Sequence, residues 1–156
     1  MVIHMTRQQL YTRGGILDEL MDTGFSAAGL VDAAGRLIRY SVPTLRDLGK
    51  TQEECVGRPI EELDPDTHLG QVARTGVPEA GRLVLMRGKY HIVTELPIYE
   101  GTDRIGGMGM LVSLDTNKLK RALGKLSEGS TQSAALYDSL ARASGSYTFN
   151  DFIGEH

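Results

Sequence analysis

The sequence predicts an α+β fold: a five-stranded antiparallel sheet with short helices on one face, an N-terminal helix and a C-terminal helical linker. Two short apolar segments separated by a glycine-containing turn come first, and several short helical segments punctuated by glycine and proline follow. Three longer strand-like segments then complete the domain. Strands and helices that occur in separate blocks, rather than alternating, are typical of an antiparallel sheet.

Composition excludes several classes of protein. The 156 residues suit one domain with flanking helices, and a hydrophobic content of 40% is enough for a packed core. A net charge of -3 gives no basic surface, so direct contact with nucleic acid is not expected. The single cysteine, Cys55, fits a reducing compartment, and no apolar run approaches the length of a membrane span. We therefore expect a cytoplasmic protein without membrane contact.

The first part of the chain predicts a helix and a hairpin. Residues 1–23 show the apolar spacing of an amphipathic helix, which Gly14 and Gly15 interrupt. Strands are predicted over residues 28–32 and 36–41, joined by a glycine turn. The helix is expected to pack on its own domain or on a partner copy.

Short helices are predicted between the second and third strands. They cover residues 44–48, 52–55, 59–63 and 67–75. Thr51 and Glu54 form a capping-box pattern at the start of the second of these helices. Strands over residues 82–87 and 90–99 then flank a Gly-Lys pair, which predicts a tight hairpin turn.

The last predicted strand covers residues 105–115 and reads IGGMGMLVSLD. It is almost uncharged until Asp115, as a buried strand requires. Gly106, Gly107 and Gly109 leave the backbone open to the close approach of a neighbouring group or a ligand. Because a helical period begins directly after Asp115, this strand is expected to connect the interior of the domain to an output segment.

Residues 116–143 show a heptad pattern with a weak middle at residues 128–131. We expect two helical segments joined there, which pair with a second chain as a coiled coil. An ordinary helix packed back on the domain is the alternative, because a heptad pattern over so few repeats is ambiguous.

Residues 20–120 resemble a PAS sensory domain. The resemblance lies in an ordered set of segments: GFSAAGLVDAAGRLIRYS, LGKTQEECVGRPIEEL, HLGQVARTGVPEAGRL, GKYHIVTELPIY and IGGMGMLVSLDTNKLK. Within PAS domains, the chain is similar to those that precede the ATPase of sigma-54-dependent transcriptional activators. Its YTFNDFIG segment is similar to the YTFDDIIG opening of that AAA+ ATPase. The resemblance divides the chain into a PAS domain (24–115), a helical linker (116–143) and the start of an absent ATPase domain (144–156).

The resemblance implies a signal-sensing regulatory domain that is not an enzyme. A small organic ligand would bind between the sheet and the short helices and shift a two-state equilibrium. A homodimer would relay the shift through the linker to the AAA+ ATPase and DNA-binding domains of the intact regulator. Asp115 is the expected relay residue, because an Asp at this strand end recurs in PAS domains and can cap the next helix. One departure is Ser41, which stands where such domains often have Asn and offers only a hydroxyl group.

The candidate ligand-binding residues come from the strands and short helices expected to enclose the cavity. They are Tyr40, Cys55, Val72, His91, Ile92, Thr94, Met108 and Met110, with Leu30 as a further wall residue. His91 could donate a hydrogen bond to a ligand carboxylate, and a solvated surface position is its alternative. The ligand is unknown, and neither haem nor flavin is the expected cofactor.

Two alternative functions stay open at this point, a haem-binding PAS sensor and a PAS dimerisation module. A haem-binding PAS sensor would take its axial ligand from His68, which is otherwise a surface residue at a helix start. Cys55 is interpreted as a small packing residue rather than a photoreactive thiol, and no metal-ligand spacing is visible. A PAS dimerisation module with a filled core is the alternative function. A histidine-kinase sensor would need a phosphoacceptor histidine, and residues 115–152 contain none.

Overall fold

A mixed sheet forms the centre of the chain in the computed structural model, which describes residues 1–86 and 88–114. Its strands are β1 (Ile3–His4), β2 (Ala27–Asp32), β3 (Leu37–Tyr40), β4 (Glu79–Met86), β5 (Lys89–Glu100) and β6 (Asp103–Leu114). Their order in the sheet is β1-β5-β6-β2-β3, and β4 also pairs with β5. β2 is antiparallel to both β3 and β6, whereas β1 runs parallel to β5.

The α+β class with several short helices is confirmed, but the prediction of five strands in a purely antiparallel sheet is wrong. The six-stranded sheet contains one parallel pair, in which Ile3 lies opposite Ile98. β1 is only two residues long, so it offers no alternation from which a strand could be predicted. Its place is fixed by backbone bonds at the edge of β5, and the Met5 N–H next to it donates to the Tyr99 carbonyl at 3.0 Å.

The helices in the described part of the chain are all short. They are α1 (Arg7–Tyr11), α2 (Ile16–Gly24), α3 (Val42–Leu48), α4 (Gln52–Cys55), α5 (Ile60–Leu63) and α6 (Leu69–Thr75). The predicted N-terminal helix is therefore two helices, and the break falls where Gly14 adopts a φ of 75°, which a helix does not accommodate. Thr51 and Glu54 form the predicted capping box of α4.

Ser41 fixes the connection from β3 into α3. Its Oγ accepts a hydrogen bond from the Ala28 N–H at 3.2 Å and lies 2.8 Å from the Thr44 Oγ1. The Val42 N–H donates to Asp22 Oδ1 at 2.8 Å, which attaches the start of α3 to α2. A serine and a threonine together thus supply the polar groups that a single asparagine would offer at this position.

One face of the sheet is covered by the N-terminal helices. Leu30 of β2 and Met108 of β6 lie opposite each other and are both buried. They pack in one cluster with Leu10 of α1 and Met21 of α2.

The other face is covered by α4, α5 and α6. Val31 and Tyr40 of the sheet form a cluster there with Cys55, Ile60 and further side chains from these helices. The two clusters separate cleanly because successive residues of a strand point to opposite faces. Leu30 and Val31 of β2 and Leu37 of β3 are at most 2% exposed, whereas Leu85 of β4 and Val112 of β6 are 62% and 41% exposed.

The chain divides into two compact units. The first comprises Met1–Ala80 and Thr94–Leu111 and contains both apolar clusters. The described part of the second lies within Gly81–Val93 and residues 112–114, and includes the hairpin turn at Gly88, whose φ is 74°. Within the described parts of both units, each helix is too short or too polar to cross a bilayer. The predicted linker (116–143) and ATPase start (144–156) lie outside the described residues.

Candidate functional site

Two glycines of β6 bring α6 directly against the sheet. A Cβ atom on Gly109 would lie 3.2 Å from Leu69 Cδ2. A Cβ atom on Gly107 would lie 3.2 Å from both Leu69 Cδ1 and Ala73 Cβ. Glycine is needed at both positions because helix side chains already occupy the volume a larger residue would take. The close neighbour expected from the glycines of this strand is therefore α6.

The two methionines that alternate with these glycines point to the opposite face of the sheet, toward α1 and α2. Met108 lies opposite Leu30, and Met110 lies opposite Ala28, in the pairing of β6 with β2. All four side chains belong to the cluster under α1 and α2, so they are separated by the sheet from Tyr40. The predicted ligand-binding residues therefore do not line one cavity.

Tyr40 and Cys55 come together on the face toward α4–α6. Tyr40 is 8% exposed and Cys55 is fully buried. Burial raises the pKa of the Tyr40 phenol, and the Asp64 carboxylate adds to this effect. Burial likewise raises the pKa of the Cys55 thiol. Both groups stay neutral near pH 7, so this part of the interior suits apolar packing or an uncharged ligand. Val72 of α6 is also buried.

The remaining predicted residues lie on β5. Thr94 belongs to the first compact unit and is half-buried. His91 and Ile92 belong to the second unit, where His91 Nδ1 lies 3.0 Å from Ser113 Oγ near the end of β6. Of the eight predicted ligand-binding residues, the structure thus brings Tyr40 and Cys55 into one cluster, and Met108 and Met110 into the other. Asp115, the predicted relay residue, lies outside the described residues.

A cluster of possible ligand atoms that the sequence did not predict joins three elements of the first unit. His68 precedes α6, Glu79 begins β4, and Glu95 lies on β5. One atom from each of the three side chains lies within 4.8 Å of those of the other two. His68 Nδ1 is 2.5 Å from Glu79 Oε2, and the backbone N–H of His68 donates to Glu95 Oε2 at 3.1 Å. No spacing rule could have found the cluster, because its members lie far apart in sequence.

From β2 onward the order of elements is two strands, four short helices and then three strands, which is an α+β arrangement. Solved PAS domains are similar to it. That of BvgS from Bordetella pertussis is 21% identical, with a TM-score of 0.46 over 72% of this chain and 94% of that chain. That of the nitrogen regulation protein NR(II) from Vibrio parahaemolyticus is 12% identical, with a TM-score of 0.44 over 64% of this chain and 99% of that chain. No protein-family model matches the chain, and neither does any curated protein.

Proposed function

We propose that the chain is the signal-sensing domain of a sigma-54-dependent transcriptional regulator. A small organic ligand would be bound by a cytoplasmic homodimer, which passes the signal through residues 116–143 to an AAA+ ATPase and a DNA-binding domain. The observation that carries the proposal is the set of four short helices between β3 and β4, three of which contribute to the cluster packed on one face of the sheet. The sequence resemblance supplies the sigma-54 context.

The contact between α6 and β6 is the place where a ligand would act. Leu69 and Ala73 rest on the bare backbone of Gly107 and Gly109, so no strand side chain separates helix from strand there. A ligand that inserts beside α6 must displace Leu69 and thereby change the packing on the strand that leads to Asp115. Closely packed contacts of this kind switch between discrete arrangements, because interiors deform little continuously.

Native mass spectrometry of the purified 156-residue chain, combined with a thermal-shift screen of small acids and aromatic compounds, tests this function. We expect a bound mass, or a compound that raises the melting temperature with increasing concentration. Leu69→Phe should weaken binding of that compound at least about tenfold, because a larger side chain at this position is harder to displace from beside the glycines. The control Leu17→Phe, on the α2 face, should leave the affinity unchanged. Sensing is refuted if the chain carries no bound mass and no compound raises its melting temperature.

A second candidate function is a PAS dimerisation module with a filled core. It is favoured by Leu69, which already occupies the space over Gly109. If the chain is a dimerisation module, we expect a stable dimer in sedimentation experiments. No compound in the screen should then change the melting temperature. A concentration-independent monomer would exclude it, whereas a ligand-dependent change in Leu69 packing would favour the sensor.

A further inference from the structure

We propose that His68, Glu79 and Glu95 form a binding site for a divalent transition-metal ion of the zinc type. Imidazole nitrogen and carboxylate oxygen are both common zinc ligands, and three protein ligands leave a fourth coordination position for water or a small molecule. The site stands apart from the proposed sensing function, since it needs only the three side chains of the first compact unit.

The geometry requires only small side-chain movements. The three ligand atoms lie within 4.8 Å of one another. Around a tetrahedral zinc ion with bonds of about 2.1 Å, ligand atoms are separated by about 3.4 Å. The side chains of His68 and Glu79 are 42% and 40% exposed, so an ion can reach both of them from solvent.

Glu95 is the fixed member of the site. It is 3% exposed, and its Oε2 accepts hydrogen bonds from Thr67 Oγ1 at 2.9 Å and from the backbone N–H of His68 at 3.1 Å. Hydrogen bonds of this kind orient a carboxylate ligand and hold it in place before the metal arrives. An entering ion therefore meets one buried, hydrogen-bonded ligand and two partly exposed ones.

The charges of the site also fit a dication. Two carboxylates with a neutral imidazole carry a charge of about -2, which one divalent ion neutralises. The imidazole makes the site selective among metals. An imidazole nitrogen favours zinc and the neighbouring transition metals, whereas magnesium and calcium prefer oxygen ligands alone. Bound metal would join the start of α6 to β4 and β5, and so restrain the helix that rests on Gly107 and Gly109.

Calorimetric titration of the 156-residue chain with zinc chloride tests the site, with cobalt(II) absorption as a spectroscopic reporter of nitrogen and oxygen coordination. We expect saturable binding of one ion per chain and little competition from excess magnesium. Glu79→Gln and His68→Gln should each weaken zinc binding at least about tenfold, since even residues that only orient metal ligands contribute that much. Glu95→Gln should do the same, with circular dichroism to verify its fold.

Matched controls separate the site from nonspecific binding. His4→Gln removes an exposed imidazole on β1, and Glu62→Gln removes an exposed carboxylate on α5. Neither should change the zinc affinity. The proposal is overturned if zinc binding is not saturable, if His68→Gln binds zinc as tightly as His4→Gln, or if magnesium displaces zinc at equal concentration. Loss of zinc binding without loss of a ligand response would leave the sensing function standing.

Discussion

Asp18 holds the guanidinium group of Arg39 beneath α2, with the Arg39 Nε 2.5 Å from Asp18 Oδ1. Arg39 is 2% exposed, and its Nη1 also donates to the Leu10 carbonyl oxygen at 2.9 Å. These bonds tie β3 to both N-terminal helices. A buried guanidinium loses its hydration, which costs free energy. That cost is offset only while the carboxylate partner remains.

Asp18→Ala should therefore lower the free energy of unfolding by about 3 kcal/mol, because it leaves the buried charge of Arg39 uncompensated. Urea denaturation followed by circular dichroism measures the change. Glu62→Ala is the matched control, because it breaks the Arg58–Glu62 pair, whose side chains are 41% and 56% exposed. Solvated pairs contribute at most about 1 kcal/mol, so this variant should unfold nearly as the parent does. Equal unfolding midpoints for the two variants would show that Arg39 does not depend on Asp18.

The Asp18–Arg39 pair also shows why the fold is easier to predict from the sequence than the tertiary contacts are. Alternation and glycine punctuation predicted β2, β3 and the short helices closely, since these are properties of neighbouring residues. Nothing in the pattern assigns Arg39 to a buried position, because the partner that neutralises it lies on another element. The bulge between Leu30 and Val31, where β2 changes register with β3, is likewise invisible to a period of two.

The glycines of β6 should differ sharply in their tolerance of alanine. A Cβ atom on Gly106 would lie 2.2 Å from the Val31 carbonyl oxygen, a backbone atom that cannot move aside. At Gly109 the nearest atom is the mobile Leu69 Cδ2, at 3.2 Å. Gly109→Ala should cost about 1–2 kcal/mol of unfolding free energy, as overpacking usually does, and Gly106→Ala distinctly more.

A double-mutant cycle checks that the Gly109 cost arises from Leu69. Leu69→Ala alone should destabilise by about 2–4 kcal/mol through the cavity it leaves. In the double variant the new Cβ at position 109 has room, so the two costs should sum to more than the measured change. Strict additivity would mean that Gly109 is required by the strand backbone and not by α6.

The candidate site was less predictable than the fold, for a physical reason. Which face a strand residue occupies depends on register, and a shift of one residue moves Met108 and Met110 from one side of the sheet to the other. The sequence could not fix that register. His68, Glu79 and Glu95 meet only because α6, β4 and β5 converge, so the sole available signal was the presence of the residue types.

Stability should fall at alkaline pH because of Tyr40 and Cys55. Burial raises the pKa of both groups above their ordinary values of 10.0 and 9.0. A group whose pKa is higher in the folded chain holds its proton more tightly there. Below its ordinary pKa, each group therefore makes its full contribution to the free energy of unfolding. This contribution is lost as the pH rises from the ordinary pKa through the raised pKa of the folded chain. Unfolding measured between pH 8 and about pH 11 should show a steady decline.

The variant carrying both Tyr40→Phe and Cys55→Ala should have a flatter alkaline profile than the parent chain, whatever its absolute stability. Tyr11→Phe is the control, since it removes a phenol that is 55% exposed. Comparison of the slopes of unfolding free energy against pH avoids any confusion with lost packing. Parallel slopes for the parent and the double variant would assign the alkaline decline to other groups.

Ser41→Ala should destabilise the chain more than the removal of a capping side chain at an exposed helix start. Ser41 is 1% exposed, and its hydroxyl serves the Ala28 N–H, the Thr44 hydroxyl and the start of α3 together. Its removal should cost about 2 kcal/mol, because a helix cap and a buried hydrogen-bond network are lost at once. Thr6→Ala removes the cap of α1, where the Thr6 Oγ1 accepts from the Gln9 N–H at 3.0 Å in an exposed position, and should cost about 1 kcal/mol or less. Thermal and urea unfolding of both variants measure the difference. If Ser41→Ala proved no more costly than Thr6→Ala, the β3–α3 connection would be held by Thr44 and Asp22 without the serine.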